Sequence, residues 1–294
     1  MMKKIESHLA VAGGLFVLVL GGLFVAGAMV SAALTCPDFP DTVYVGEHPS
    51  DELGWTDNVQ GVAHDDGNWF FTTQSDSFLI RFPVGFDLNN EFDPEDSDTW
   101  PPGALAIPMP EALEDAGYED FKDLDQAMGF LFVPVVGEDP DTDAAITGIA
   151  VFNTGLGYVG LYPITEITHT SFAAFNLHDG HIYVSRPVVS AAEPLLKYAV
   201  SFEHLANGDV ANAFAPAGPF YVTIDPPLVN MQGAAFTPWG DLYLVNGLDC
   251  PPSSDRGGIH LFDSSGQLLD ESTNGFGTFN FQYDPCESPE GEEP

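Results

Sequence analysis

Basic residues are scarce in this sequence. Only seven lysines and arginines face 44 aspartates and glutamates, so the formal net charge at pH 7 is -37. Such a chain repels the phosphates of nucleic acids, which argues against nucleic-acid binding. We expect the acidic side chains to form a solvated surface; the alternative is that some of them converge on divalent cations.

The sequence also lacks the common short motifs of catalysis. It contains no G-x-S-x-G, phosphate-binding loop, H-E-x-x-H or C-x-x-C pattern. Serine-hydrolase, nucleotide and zinc-protease chemistry therefore have no support from sequence motifs. No Asn-x-Ser/Thr sequon occurs either, so nothing indicates an N-glycosylated surface.

Cysteine is rare, and all three cysteines follow the apolar amino-terminal segment. They are Cys36, Cys250 and Cys286. In an oxidising compartment one pair can form and one cysteine is left over. We favour a disulfide between Cys250 and Cys286, because a lipidated or tail-borne Cys36 explains the odd number. The alternative is that all three are free thiols.

The amino end carries a long uncharged segment. Lys3 and Lys4 precede 27 residues, Leu9 to Thr35, that contain no charge. A helix of this length exceeds the ~30 Å hydrocarbon core of a bilayer. We expect a cleaved export signal, an uncleaved anchor or a lipoprotein leader with Cys36 as the lipidation site. Each alternative predicts an exported protein that is periplasmic, on the cell surface or extracellular, with membrane contact if the segment is retained or lipidated.

Glycine and aromatic residues mark a repeat. An apolar segment, a polar turn with a glycine and an aromatic segment recur four times, with turn glycines at Gly67, Gly129, Gly180 and Gly240. The differences between these positions are 62, 51 and 60 residues. A strand, turn and strand repeated at this interval predicts small antiparallel sheets arranged as a propeller. We expect an all-β fold with four-stranded blades.

The repeat resembles a superfamily of secreted propellers that includes NHL-repeat, TolB-like and gluconolactonase-like proteins. The resemblance covers residues 55 to 285, through the Gln-Gly openings at Gln60 and Gln232, the D-x-G-x-x-aromatic hairpins and the segment Gly257 to Leu269. Most members have six blades, whereas four clear units and a fragment are visible here. We expect five or six blades, with the last one complete or shortened.

The chain is divided accordingly into four parts. Residues 1–35 are expected to be a signal peptide or transmembrane anchor, and residues 36–54 a stem with a ring-closing strand at Thr42 to Gly46. Residues 55–285 are expected to form the propeller, and residues 286–294 an acidic tail. Within the propeller we expect a surface loop from Asp87 to Pro110, a loop or short helical turn from Phe202 to Asn212, and a strand from Phe220 to Asp225.

The resemblance implies that residues opening each unit face a shared channel mouth. The candidates for ligand binding there are Gln60, Asp123, Asp125, Ser171, Asn230 and Gln232. Lactonase-like members bind a divalent cation at this mouth, and oxygen ligands of this kind suit Ca²⁺. Asp123 and Asp125 are therefore candidate metal ligands; the alternative is a wet channel without a ligand.

Three further sets of residues have candidate roles. His64 and Asp65 follow the first inner strand and could act as a base and its orienting acid. Asp139, Asp141 and Asp143 have the spacing of a calcium loop, but the sequence that follows excludes an EF-hand and leaves a loose surface site. Trp69 and Trp239 flank equivalent turns, where we expect packing between blades or a platform for a sugar or peptide.

The sequence thus predicts a binding or scaffold module rather than an enzyme. Its expected partner is a protein or glycan outside the cytoplasmic membrane. The alternative function is a calcium-dependent, lactonase-like hydrolase with its metal at the channel mouth.

Overall fold

The computed structural model describes residues 59–73, 77–90, 92–247, 258–273 and 276–277. The amino-terminal apolar segment, the stem with its strand, the acidic tail and all three cysteines lie outside the described residues. Their predicted roles as signal or anchor, disulfide and lipidation site therefore stay predictions. Within the described ranges, no helix has the length and apolar character needed to span a membrane.

The first blade is an antiparallel sheet whose strands pair in chain order. Its strands are β1 (Val59–His64), β2 (Asn68–Thr73), β3 (Leu79–Pro83) and β4 (Leu105–Ile107). A short 3-10 helix, Ser97–Thr99, lies in the long connection before β4. That connection was predicted to be a surface loop, yet Phe92 within it is buried. The rings of Phe82 and Phe92 meet edge to face at 4.8 Å, which holds the connection against the blade.

The second blade has a divided inner strand. A helical turn at Glu111–Glu114 precedes β5 (Tyr118–Phe121), β6 (Asp125–Ala127), β7 (Phe130–Glu138), β8 (Ala145–Asn153) and β9 (Tyr158–Ile164). Both β5 and β6 pair with β7, and the sheet continues through β8 to β9. The amide of Lys122 still donates to the carbonyl of Pro134 on β7 (2.9 Å), and then Asp123 forms a parallel bridge with Phe172 of the next blade. The interruption therefore links two blades.

The third blade pairs its strands in the order β10, β11, β13 and β14. The bounds are β10 (Ala173–Asn176), β11 (His181–Val184), β12 (Val188–Val189), β13 (Leu195–Val200), β14 (Phe214–Phe220) and β15 (Leu228–Val229). The short strands β12 and β15 pair with each other outside the blade. The segment predicted to be a loop or helical turn holds a helix, Phe202–Ala206, and a 3-10 helix, Val210–Asn212.

The fourth blade contains the last described strands. They are β16 (Met231–Phe236), β17 (Leu242–Asn246), β18 (Gly258–Phe262), β19 (Leu268–Thr273) and β20 (Phe276–Gly277), paired in chain order. The described residues thus form an all-β propeller with four blades. The expectation of five or six blades stays a prediction, because both ends of the chain lie outside these ranges.

The four predicted hairpins are confirmed at the inner strands. The turn glycines Gly129, Gly180 and Gly240 have φ values of 84, 74 and 94°, a conformation that glycine adopts without a steric cost. The first turn differs, since Asp65 Oδ1 accepts hydrogen bonds from the amides of Gly67 (2.8 Å) and Asn68 (2.7 Å). One repeat in the sequence therefore uses two kinds of turn.

Apolar clusters fill the spaces between neighbouring blades. Phe132, fully buried on β7, lies 5.9 Å from the ring of Phe175 on β10 and 6.1 Å from that of Phe214 on β14. Burial of one such side chain contributes about 1.5–3 kcal/mol. The blades are thus held face to face by aromatic side chains that alternate along the strands.

One predicted strand was wrong. The segment Phe220 to Asp225 was expected to be extended, but the outer strand of the third blade is β14, which ends at Phe220. Its sequence includes Pro216, Gly218 and Pro219, which predicts a turn rather than a strand. An edge strand tolerates proline because one side of its backbone has no sheet partner.

Candidate functional site

Asp123 lies where the four blades meet. Its main-chain amide donates to the carbonyl of Ser171 (3.1 Å), and its carbonyl accepts from the amide of Ala173 (3.3 Å), both on the third blade. Its carboxylate accepts from the amide of Ala234 on the fourth blade, with Oδ2 at 3.1 Å. The amide of Val62 on the first blade also donates to this side chain. Asp123, in the second blade, therefore forms hydrogen bonds with the first, third and fourth blades.

Two glycines make room for this carboxylate. A Cβ atom added to Gly61 would lie 2.5 Å from Asp123 Cα, and one added to Gly233 would lie 2.7 Å from Asp123 Oδ2. Real Cβ atoms do not approach other atoms so closely. The glycine of the Gln-Gly opening in the first and fourth units is thus required by the close approach of Asp123. In both strands the pairing register shifts at the glutamine.

Asp125 links the second and third blades in the same way. Its Oδ2 accepts from the amide of Phe175 (2.7 Å), and its Oδ1 accepts from the amide of Gln126 (2.7 Å). Burial raises the pKa of Asp125 to about 6, although both amides and the nearby charge of His64 act to lower it. The Asp125 carboxyl therefore titrates within the physiological range.

The Asp123 carboxyl is also buried and accepts hydrogen bonds from main-chain amides. Burial raises its pKa well above the ordinary value for aspartate, against the lowering effect of the Ala234 amide, and the negative charge of Asp125 raises it further. Two neighbouring buried carboxyls do not both ionise readily. The two central acids therefore favour their protonated forms more than an exposed aspartate does.

The other predicted mouth residues are placed less centrally. Gln60 is half-buried at the register shift of β1, whereas Asn230 and Gln232 are exposed. The side chain of Gln232 donates from Nε2 to the carbonyl of Asn230 (3.4 Å). The amide of Ser171 donates to Ser185 Oγ (2.7 Å). The structure thus brings Asp123 and Asp125 together but leaves the amide side chains at the edge.

The proposed base and acid at the first turn do not pair through their side chains. The His64 ring packs against Trp69 with centroids 5.1 Å apart, and its Nδ1 lies 3.4 Å from the main-chain oxygen of Asp65. The Asp65 carboxylate is bonded instead to the turn amides described above. Asp65 therefore shapes the turn in this structure.

The predicted calcium loop is the turn between β7 and β8. Asp139 Oδ1 accepts from the Thr142 hydroxyl (2.8 Å) and from the amides of Thr142 (2.9 Å) and Asp141 (3.1 Å). The hydroxyl bond, followed by these amide bonds, holds the pKa of Asp139 below its usual value. Asp143 takes a left-handed φ of 54° in the same turn. Across the described ranges, no three His, Cys, Asp or Glu side chains are grouped to hold a metal ion.

Sequence reasoning missed a cleft of about 260 Å³ between the third and fourth blades. Asp179 Oδ2 accepts from the Tyr183 hydroxyl and from Lys197 Nζ, each at 2.7 Å. The ammonium group of Lys197 also lies 5.1 Å from the centre of the Tyr183 ring. Phe220 and Phe236 form the apolar wall. We name this site the interblade cleft.

The Asp179–Lys197 pair is charged. Burial acts to raise the pKa of Asp179, but the hydrogen bonds from Lys197 and Tyr183 hold that pKa below its usual value. Burial acts to lower the pKa of Lys197, and its bond to Asp179 raises that pKa above the usual value. A lysine within the otherwise apolar strand β13, in a chain with seven basic residues, was the available sequence signal.

Large apolar side chains are exposed at the hairpin turns of three blades. Met128, Leu177 and Trp239 are 69, 66 and 51% exposed. The segments entering β6 and β10 run parallel, so the turns that follow lie at the same end of the inner strands. His178 would lie 3.2 Å from a Cβ atom on Gly240, so the turns of the third and fourth blades touch. We name these three side chains the turn patch.

Proteins similar to this chain are found among solved structures. No protein-family model and no curated protein sequence matches the chain. Similar solved structures include a gluconolactonase from Xanthomonas campestris, at 16% identity and a TM-score of 0.45 over 73% of this chain and 62% of that one. The Nidogen/Laminin complex follows at 13% identity and a TM-score of 0.39, over 70% of this chain and 62% of that one.

A further similar structure is the Pan2 WD40 domain of Neurospora crassa. It has 11% identity and a TM-score of 0.36, over 76% of this chain and 68% of that one. The chain thus spans about 62% of the length of the first two structures. The similar structures thus include a gluconolactonase, a protein complex and a WD40 domain.

Proposed function

We propose that this chain is an exported, acidic propeller that binds a protein or glycan ligand outside the cytoplasmic membrane. The observation that carries the proposal is the turn patch. Its three apolar side chains are each more than half exposed, on turns whose backbones are fixed by the strands behind them. Exposed apolar side chains on a rigid scaffold are a common feature of binding sites.

The central carboxylates support binding rather than metal-dependent hydrolysis. A calcium ion needs oxygen atoms that direct lone pairs toward it. The oxygens of Asp123 and Asp125 accept hydrogen bonds from the amides of Ala234, Phe175 and Gln126, at 2.7–3.1 Å. The bonds from Ala234 and Phe175 join neighbouring blades, so moving either carboxylate toward a metal would weaken contacts between blades.

The turn patch provides the test of binding. The full-length chain is applied to an array of immobilised glycans and extracellular-matrix proteins, beside a variant with Met128→Ser, Leu177→Ser and Trp239→Ser. The proposal predicts that captured ligands are lost by this triple variant. The matched control is Val245→Ser with Leu269→Ser, which removes apolar side chains that are 37 and 44% exposed elsewhere on the fourth blade.

The two functions give different results in a second experiment. The full-length chain is assayed for hydrolysis of glucono-δ-lactone with calcium and with a chelator. The binding proposal predicts no calcium-dependent turnover. Turnover that needs calcium and disappears in Asp125→Asn would overturn the proposal in favour of the hydrolase.

A further inference from the structure

We propose that the interblade cleft binds one neutral sugar unit through two adjacent hydroxyl groups. The inference rests on the proposed binding function, for which it names one ligand class and one site. It is carried by the geometry of Asp179, Lys197 and Tyr183 between two aromatic walls.

The charged pair presents a donor and an acceptor side by side. Lys197 has three N–H donors and uses one of them on Asp179 Oδ2, 2.7 Å away. Asp179 Oδ1 accepts from the amide of His181 at 3.2 Å and lies 3.3 Å from His181 Nδ1. As a carboxylate oxygen with two lone pairs, it can accept from a ligand hydroxyl in the tautomer that leaves Nδ1 without a proton. Adjacent hydroxyls of a sugar ring are also a hydrogen-bond length apart. One hydroxyl can accept from Lys197 while its neighbour donates to Asp179.

Neighbouring side chains fix this pair in place. The Tyr183 hydroxyl donates to the same Asp179 oxygen at 2.7 Å, so the carboxylate is held by two donors before a ligand arrives. Asn176 Oδ1 accepts from the amide of His178 at 2.9 Å, so this lining side chain is also held in place. A preorganised polar site loses little side-chain entropy when it binds.

The cleft also offers aromatic surface. Phe236 and Phe220 line the cleft and are half-buried, and their rings pack 4.6 and 5.1 Å from that of Tyr183, which is buried. Aromatic faces carry partial negative charge and attract C–H groups with partial positive charge. One face of a sugar ring presents such C–H groups while its edge presents hydroxyls. The combination of a charged pair with aromatic walls therefore fits a sugar.

Charge and size narrow the ligand further. The charges of Asp179 and Lys197 cancel, so the cleft itself is close to neutral, and the protein as a whole carries -37. Its field repels anions, and Lys197 already occupies the place of a cation beside Asp179. The volume of about 260 Å³ lies just below the roughly 300–1,000 Å³ of drug-sized sites. A single neutral ring fits these limits.

The test uses calorimetry on the full-length chain. The probes are D-glucose, D-galactose, D-mannose and N-acetyl-D-glucosamine, with sodium gluconate and glycine as an anion and a zwitterion. We expect saturable binding of at least one sugar, weakened at least tenfold by Lys197→Met. Arg186→Met is the matched control, because Arg186 is also about one quarter exposed and pairs with an acid, Glu193, outside the cleft.

Each other outcome overturns the inference. These outcomes are absence of saturable sugar binding, sugar binding that survives Lys197→Met, and preference for gluconate or glycine. Tyr183→Phe guards against a folding artefact, because it keeps the aromatic ring and should weaken sugar binding at an unchanged calorimetric stoichiometry. If the turn patch still captures macromolecules while no sugar binds, only this inference fails; if neither site binds, the proposed function fails as well.

Discussion

Two aspartate environments in this molecule shift the pKa of the carboxyl in opposite directions. At the centre, Asp123 and Asp125 accept from main-chain amides, and burial raises the pKa of each. In the interblade cleft, Asp179 accepts from Lys197 and Tyr183, and its pKa is lowered. In the first environment, hydrogen bonds from Ala234 and Phe175 to the carboxylates join neighbouring blades. In the second environment, the charged pair faces an open cleft. The groups that donate to an aspartate therefore decide whether it joins blades or is available to a ligand.

The largest effect is expected where the centre has no spare space. Gly61→Ala places a methyl group 2.5 Å from the main chain of Asp123, which cannot move without separating blades. We expect a loss of about 3 kcal/mol in the free energy of unfolding, measured by urea denaturation. Gly85→Ala is the control, because nothing lies within 4 Å of the added atom. Equal stabilities of the two variants would show that Asp123 is not tightly enclosed.

A second test uses pH. Folded Asp125, with a pKa of about 6, keeps a proton that the unfolded chain has lost. The folded state thus binds more protons, so stability falls as pH rises from about 4, the unfolded pKa, toward that folded value. Between about pH 4.5 and pH 7 this group costs roughly 2 kcal/mol.

Asp125→Asn removes this contribution. We expect the stability difference between those two pH values to be smaller in Asp125→Asn than in the unchanged chain, whereas Asp66→Asn, at an exposed turn, keeps the full difference. Urea denaturation at both pH values measures it. The same pH dependence in Asp125→Asn and the unchanged chain would show that Asp125 is not the group responsible for it.

In the interblade cleft, we expect a smaller change of stability with pH, opposite in sign to that of Asp125. Asp179 has a lowered pKa, so its contribution is present above about pH 4, the unfolded value, and is lost as pH falls through the lower folded pKa. Tyr183→Phe removes one donor to Asp179 and should cost about 1 kcal/mol at neutral pH. It should also raise the pKa of Asp179, observable by NMR titration. Tyr221→Phe, at a tyrosine that is 55% exposed, should change neither quantity.

The smallest effect is expected at the exposed turn between β7 and β8. Thr142→Ala removes the hydroxyl donor to Asp139 and should raise the pKa of that carboxyl. We expect no measurable change in the free energy of unfolding, because the site is surrounded by water. A loss as large as that at the cleft would show that this turn holds the blade together.

The hairpins were predictable because each is local. An apolar segment, a turn glycine and an aromatic segment occupy about 15 consecutive residues, and both pairing partners lie within them. The outer strands were harder. Leu105–Ile107 has three residues after a proline-rich stretch, and Phe214–Phe220 contains the prolines and glycine of a turn. Their strand character comes from the neighbours they pair with rather than from their own composition.

The contacts at the centre and in the interblade cleft could not be predicted from the sequence either. Asp123 and Asp125 were singled out because they open a unit, but the donor from Ala234 lies 111 residues away in sequence. Lys197 meets Asp179 across 18 residues, and Phe236 reaches them from another blade. Such contacts depend on strand register and blade packing, which composition does not encode. Export, blade number and the disulfide stay predictions.

The most direct test of the central claim is the effect of calcium on thermal unfolding of the full-length chain. If the central carboxylates join the blades and hold no metal, calcium should shift the unfolding midpoint no more than sodium chloride does at equal ionic strength. A calcium-specific increase would contradict it, provided that Asp125→Asn abolishes the increase. Calcium at 100 times its dissociation constant would then add about 2.7 kcal/mol of stability, a shift that is readily measured.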